Sequence, residues 1–498
     1  MPRTACIFLL PGLVALIVGC GPTVRAGQPH AESLEQLELE QVAPHVRFLA
    51  DLSLGGRCAG TAGNRVAGQY IAAQFGDMDL TPAGSDGSFF QIFTLQDVLE
   101  PTDRSDLKGP GLADLKAGRD FSVSAAGCDG AFSAPLVFAG YGLHNRIRSY
   151  DDYQRISVNG AVAMILLGEP HDRTGQSLWA LRGKFTRLAG VKYKLRQAAN
   201  RGAVAALLVA PASLTGPEDP LEDTYGDGTG PIPAMRISRA AANALLARAD
   251  TDIETLVQKI RTTGRAASFA VGQNVAGTAS LTEATGRNIV AYLPPTEPGP
   301  ERVILVGAHY DHLPATGENA YDQGPGIRPG ADDNASGMAA LLQLARAVRL
   351  QPRRRVGYYF VAFDAEEAGF QGSKHFVANL PVEIEQIAAM VNIDQLGHVK
   401  NNRLLLLGSV IDGPVAVAVR SARPFSALRL QTVAVTNGIG WSDQMAFARE
   451  GIDTLFAYAG QGPHYHTRQD TIETLNYPGL AAAARSLYHI LRHLEAAL

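Results

Sequence analysis

An α/β architecture is predicted for this chain of 498 residues: a mixed, mostly parallel sheet flanked by helices, with a smaller β-rich unit inserted. Three apolar runs carry the prediction. VILVGA (303–308), VGYYFVAF (356–363) and AAMVNI (388–393) have the length and composition of strands buried on both faces. Between the first two lies MAALLQLARAV (338–348), whose apolar residues recur at helical spacing. Strands alternating with helices build parallel sheets, and the rim where such strands end is where ligands bind.

In chain order, Arg3 precedes an apolar stretch from Ala5 to Val18. At about fourteen residues it is too short to span a bilayer and reads as a secretory signal over 1–19. Ile17, Val18 and Gly19 before Cys20 resemble a bacterial lipobox, which would make Cys20 a lipid-bearing first residue of an exported, envelope-anchored protein, periplasmic or at the surface. Residues 20–34, polar with Gly and Pro, form the expected tether. Residues 35–130 are expected to supply helices and an edge of the main sheet, including the amphipathic run GTAGNRVAGQYIAAQF after a glycine-rich turn.

From 131 to 270 the chain alternates short apolar strands, in APLVFAGYGL, GAVAMILLGE and PIPAMRIS, with one amphipathic helix in KYKLRQAANRG, and this is the expected insert. The main sheet then occupies 271–498. It begins at NIVAYLP and ends in a helix where Leu480, Ala484, Leu487, Leu491, Leu494 and Leu498 repeat at helical spacing. The Gly- and Pro-rich loop from Leu313 to Pro329 is expected to border the mouth of the site.

A net charge of −4, with no basic run beyond Arg353–Arg355, argues against a nucleic-acid partner. After export, Cys58 and Cys128 would be an even pair in an oxidising compartment, compatible with a disulfide but equally with two thiols.

Chemistry collects at the strand ends. His309 and Asp311 follow the first run, Glu366 and Glu367 the second, and Asp394 the third. Asp333 sits in GADDNASG at a predicted helix start, where the backbone dipole favours an anion. His466 lies in GPHYHTRQDT before the last helix. Oxygen and nitrogen donors without cysteine suit zinc, and equally cobalt or manganese. Each motif alone has a plain structural reading: a hydrogen-bonded His–Asp pair, charge complementing a helix dipole, or an N-cap cluster to which Asp332 would belong. His464 shares a face with His466 and competes with it as a ligand, although the H-T-x-x-D-T pattern favours His466.

Together the segments A-H-Y-D-H, G-A-D-D-N-A-S-G, D-A-E-E-A-G, N-I-D-Q-L-G and Y-H-T-R-Q-D-T resemble the M28 family of zinc aminopeptidases with two co-catalytic metals, over roughly 285–498. The resemblance implies a zinc-exopeptidase-like fold, two zinc ions per chain and peptide substrates. It implies that His309 and Asp394 hold one metal, that Glu367 and His466 hold the other, and that Asp333 bridges them. Asp311 would orient His309, Glu366 would be the general base, and Tyr465 would donate to the developing oxyanion. Ser442 and Asp443 match a family segment near the substrate pocket, for which TNGIGWSDQMAF and the His464 loop are candidate walls. The insert resembles a protease-associated (PA) domain, read as a lid or substrate filter or else as a stability module. Three rivals remain. They are a carboxypeptidase using Arg328 or Arg468 for a substrate carboxylate, a glutaminyl cyclase, and a binding protein without catalysis.

Overall fold

The computed structural model describes residues 39–498 except 181–184, 217–218, 220, 222–227, 316–320, 322–325 and 436–440. The expected signal segment, Cys20 and the tether lie outside the described residues, as do parts of the Leu313–Pro329 loop and of TNGIGWSDQMAF. Among the described residues no helix is long and apolar enough to cross a membrane.

The main sheet has nine strands. Its centre is a parallel block in the order Gly357–Phe363, Val303–His309, Ile387–Asp394 and Thr454–Tyr458. Leu281–Leu293 adds antiparallel on one side, followed by Thr81–Pro82 and Phe90–Pro101, both of which pair with it. On the other side Arg403–Gly408 runs antiparallel to Thr454–Tyr458, and Arg429–Ala434 forms the edge. Every residue of Val303–His309, Gly357–Phe363 and Ile387–Asp394 is buried, because helices cover both faces. Helices Gly337–Arg349, Tyr477–Ala497 and Leu39–Leu49 cover one face, and the shorter Gln371–Ala378 and Gln444–Arg449 the other. The terminal helix buries Leu480, Ala484, Leu487, Leu491 and Leu494, while Leu498 packs at its margin. Asn476 caps it, accepting from Gly479 N at 3.0 Å. Thr61 caps the N-terminal helix Ala62–Asp77, which buries Ala67, Ile71 and Phe75.

A second sheet of seven strands forms the insert, in the order Asp106–Lys108, Phe269–Ala279, Gly130–Phe138, Val162–Leu166, Ala205–Val209, Ala234–Ile237 and Phe121–Val123. It starts before residue 131 and ends after 270. The reason is that only Ser280 separates the two sheets on one crossing and a four-residue turn, 102–105, on the other. Phe90–Pro101 and Leu281–Leu293 pair in the main sheet, and Asp106–Lys108 and Phe269–Ala279 continue as neighbours in the second. Ser280 ties the two crossings together, its carbonyl accepting from Thr102 N (2.9 Å) and Ser105 Oγ (3.0 Å). A shared ribbon leaves no composition change for a boundary to be read from.

Asp333 lies at a helix start as expected, in the first turn of the short π-helical segment Ala331–Ser336, although its own φ −107° and ψ 95° are not helical, and the α-helix follows from Gly337. Asn334 accepts from Gly337 N at 3.0 Å, while Asp332 accepts from Gly397 N at 2.6 Å. No disulfide joins Cys58 and Cys128.

Candidate metal centre

The parallel strands end side by side, so His309, the last residue of its strand, and Asp394, the last of the next, meet at one rim. His309 Nε2 lies 3.4 Å from Asp394 Oδ1 and 3.4 Å from Asp333 Oδ1. The other oxygen of Asp333 faces a second group: His466 Nε2 is 3.1 Å from Asp333 Oδ2 and 3.3 Å from Glu367 Oε2. One carboxylate therefore stands between two histidine–carboxylate pairs. Glu366 groups with His309 and Asp394, whereas Glu367 groups with Asp333 and His312.

Asp311 organises both halves. Its carboxylate lies 3.5 Å from His309 Nδ1 and accepts the backbone N–H of Glu366 (3.0 Å) and of Glu367 (3.2 Å). The turn that presents both glutamates is thus clamped from below, with Ala365 at φ +56°. Asp364 points away from the rim. It accepts from Asn64 Nδ2 and from Arg287 N, each at 2.9 Å, so it joins the N-terminal helix to the sheet.

Electrostatics separate the acids. Burial raises Glu366, and although His309 opposes this, Glu367, Asp443 and Asp394 hold it well above the carboxylate range. Burial and Asp333 would likewise raise Glu367, but hydrogen bonds from His312 and His466 bring it down to about 2. Asp333 is burdened by burial yet falls well below its usual value beside His309 and His466. Burial would depress His309; Glu366 and Asp394 lift it well above the imidazole range. Burial pushes Asp443 up to about 7. Its side chain makes no capping bond to the helix Gln444–Arg449, so Asp443 stands as a buried acid behind Glu366 and not as a helix cap.

Of the competing residues, His464 stays out of both clusters, its carbonyl accepting from Thr467 Oγ1 at 2.7 Å. Tyr465 stacks on the His466 ring with centroids 3.8 Å apart, and burial raises its phenol, which keeps its proton at neutral pH. Arg328 is fully buried and donates to the carbonyls of Gly326 (2.9 Å) and Pro314 (3.3 Å), so it is not presented to a substrate carboxylate. The Arg468 guanidinium lies over Phe185 of the insert.

Two buried residues escaped the sequence reading. His312, fully buried, sets Nδ1 2.9 Å from Glu367 Oε1. It ends the A-H-Y-D-H segment, where its place beside Asp311 is the only sequence signal of its role. Arg57 donates to the carbonyls of Leu49, Pro329 (2.5 Å), Gly330 (3.1 Å) and Tyr310 (2.8 Å), tying the two ligand loops to the N-terminal segment. Nothing in G-G-R-C signals that role.

The donor set fits a pair of zinc-like ions. Four tetrahedral ligands at about 2.0–2.1 Å from an ion lie about 3.3 Å from one another, and the spacings here run from 3.1 to 3.4 Å. His309 Nε2 and Asp394 Oδ1 are buried without a hydrogen-bond partner among the described residues, a costly state that an ion would relieve.

Residues 288–491 match peptidase family M28, and residues 123–245 match the PA domain. Residues 288–491 are thus an M28-family peptidase segment, and a PA domain lies ahead of it. The M28 segment is similar to Aminopeptidase YwaD of Bacillus subtilis (strain 168), 29% identical over 212 residues that make up 41% of this chain and 44% of that protein. It is also similar to Probable leucine aminopeptidase 1 of Trichophyton verrucosum (strain HKI 0517), 26% identical over 42% of this chain and 57% of the relative. The match therefore spans about half the length of these curated relatives. Across both domains the fold is similar to the solved structure of BSAP, a zinc aminopeptidase from Bacillus subtilis. The TM-score is 0.51 at 21% identity, covering 91% of this chain and 94% of that one.

Proposed function

We propose that this protein is a zinc-dependent aminopeptidase that removes the first residue of peptides. The observation that carries the reading is Asp333, whose two oxygens face His309 and His466 at 3.4 and 3.1 Å and so suit it to lie between two ions. His309 and Asp394 would hold one ion, Glu367 and His466 the other. When bound, such ions lower the pKa of a water from about 16 towards about 7 and polarise a carbonyl.

The chain's own residues do the rest. Glu366, held by its amide on Asp311, takes the proton of the attacking water and returns it to the leaving amine. Asp311, with its backbone carbonyl 3.2 Å and its carboxylate 3.5 Å from His309 Nδ1, would keep the ring turned so that Nε2 is left for an ion. The Tyr465 phenol donates to the oxygen that gains charge. The acidic rim favours the ammonium of a free peptide N-terminus. Beside Asp394 the sheet face continues through its strand partner Tyr458 to Phe456, and a cavity of about 160 Å³ opens there between Leu407, Val433, Trp441 and Met445. An apolar first side chain would fit it.

The test is metal content and hydrolysis of aminoacyl-p-nitroanilides by the purified chain beside Glu366→Ala. About two zinc per chain is expected, with activity lost on chelation and reduced about 10²- to 10⁴-fold in a variant that keeps its metal. One zinc with no amide hydrolysis would favour a cyclase, and no metal after zinc is supplied would leave only a binding protein.

A further inference from the structure

We infer that His312 is a positioning residue for the second metal site: its Nδ1–H fixes one oxygen of Glu367 so that only the other is offered to the ion. The inference rests on the two-zinc reading above and assigns a role to a side chain that reading does not use.

The two oxygens of Glu367 have different partners. Oε1 is 2.9 Å from His312 Nδ1, while Oε2 is 3.3 Å from His466 Nε2 and so faces the cluster with Asp333. The same Nδ1 is 3.9 Å from Asp333 Oδ2, beyond hydrogen-bond reach, so the ring engages Glu367 alone. His312 Nε2 is buried with no hydrogen-bond partner among the described residues. Among the described residues the Nδ1 contact is thus the ring's one hydrogen bond, and it defines the tautomer with the proton on Nδ1.

The ring has little freedom to do anything else. It is fully buried, and it meets the His466 ring edge-on with centroids 5.8 Å apart. It also lies against Gly330, where an added Cβ would come within 2.6 Å of Cδ2, and Gly330 itself has φ +60°. A carboxylate free to swing can bind one ion through both oxygens or turn from it, and both outcomes change the geometry of an open site. A donor locked onto one oxygen removes both options, as hydrogen-bonded partners of metal ligands do elsewhere.

Asparagine separates this role from mere space-filling. Its Nδ2 can occupy nearly the position of the histidine Nδ1 and can donate the same bond, whereas alanine cannot. The experiment strips the full-length chain of metal and titrates it with zinc against a chromophoric chelator, for wild type, His312→Ala and His312→Asn. Circular dichroism and melting of each metal-free form are followed in parallel. Wild type should bind two zinc. His312→Ala should bind one with unchanged affinity and the second about 10- to 100-fold more weakly, and His312→Asn should recover most of that loss. Unchanged binding of both ions by His312→Ala overturns the assignment. So does an Asn variant no better than Ala, which would make the ring a direct ligand or a filler. Equal weakening at both sites with a lowered metal-free melting point would indicate a structural role and also overturns it. Failure of wild type to take up two zinc would instead refute the two-zinc reading beneath it.

Discussion

Replacing Asp311 should damage metal affinity and fold together, in proportions that can be worked from its contacts. The carboxylate accepts two backbone N–H groups, from Glu366 at 3.0 Å and Glu367 at 3.2 Å, and stands 3.5 Å from His309 Nδ1. Hydrogen bonds to a charged group contribute about 1.5–3 kcal/mol each, so Asp311→Ala forfeits about 3–6 kcal/mol and leaves two amides without an acceptor. The Asp311 main-chain carbonyl, 3.2 Å from His309 Nδ1, remains in the variant, so loss of the carboxylate's share of the orientation adds a drop towards the lower end of about 10- to 100-fold in zinc affinity, equivalent to about 1.4–2.7 kcal/mol. Asp311→Asn keeps one carbonyl oxygen but turns its NH₂ towards the other amide, so it should retain about half of the stability and still misdirect the ring. The assay is chelator competition for zinc together with melting in the presence and absence of metal. An Asp311→Ala variant that melts lower yet binds both ions with wild-type affinity would refute the orienting role and leave Asp311 as a clamp on the glutamate turn alone.

Arg57→Met removes the guanidinium that serves four backbone carbonyls. It should cost about 4 kcal/mol or more, and Arg57→Lys should not restore this, because one ammonium cannot span the same acceptors. A melting temperature within about 2 °C of wild type would contradict the role. His45, buried between Tyr70 and Gln343, is depressed from 6.5 to about 4, first by burial and then by Arg346. Its unfolded form binds a proton that the folded form refuses. The associated stability is present above pH 6.5 and is lost as pH falls towards 4, by about 3 kcal/mol in total. The advantage of wild type over His45→Gln in urea unfolding should therefore shrink by that amount between pH 7 and pH 4. An advantage independent of pH would rule it out.

What could be read without coordinates was what local pattern governs. The largely apolar runs before His309, Asp364 and Asp394 are strands in the structure, because burial on both faces leaves no polar alternation to confuse them. The chain also reaches the rim at the motifs, and His309, Asp333, Glu366, Glu367, Asp394 and His466 lie together there. What could not be read depends on partners far away in sequence. Arg57 meets Tyr310 and Gly330 across more than 250 residues, and no composition near it announces a buried guanidinium. The insert's limits escaped because its first and last strands prolong a ribbon of the main sheet. D-D-N-A-S before an apolar run marks a helix start, but not the non-helical backbone that turns Asp333 to the rim while Asn334 accepts from Gly337 N.

These misreadings have one physical origin. Four carboxylates and two imidazoles cannot be buried at a sheet rim unless something other than the ligands bears part of their desolvation. Here that burden is spread over groups with no motif of their own. Amide donors of Glu366 and Glu367 serve Asp311, and amides of Asp332 and Asp333 donate to Asp470 at 2.9–3.1 Å. The Arg57 cation sits beneath, close enough for Asp311, Asp333, Asp470 and Glu367 to offset part of the cost of burying it. Such a scaffold can hold the ligand atoms near their working separations through its own hydrogen bonds, so that an arriving ion meets a site already shaped and gives up little of its binding energy to folding the loops. On that argument the chain without metal should keep its secondary structure and lose only part of its melting temperature. A metal-free form that is unfolded at room temperature would mean that the ions, and not the amides and Arg57, hold the rim together.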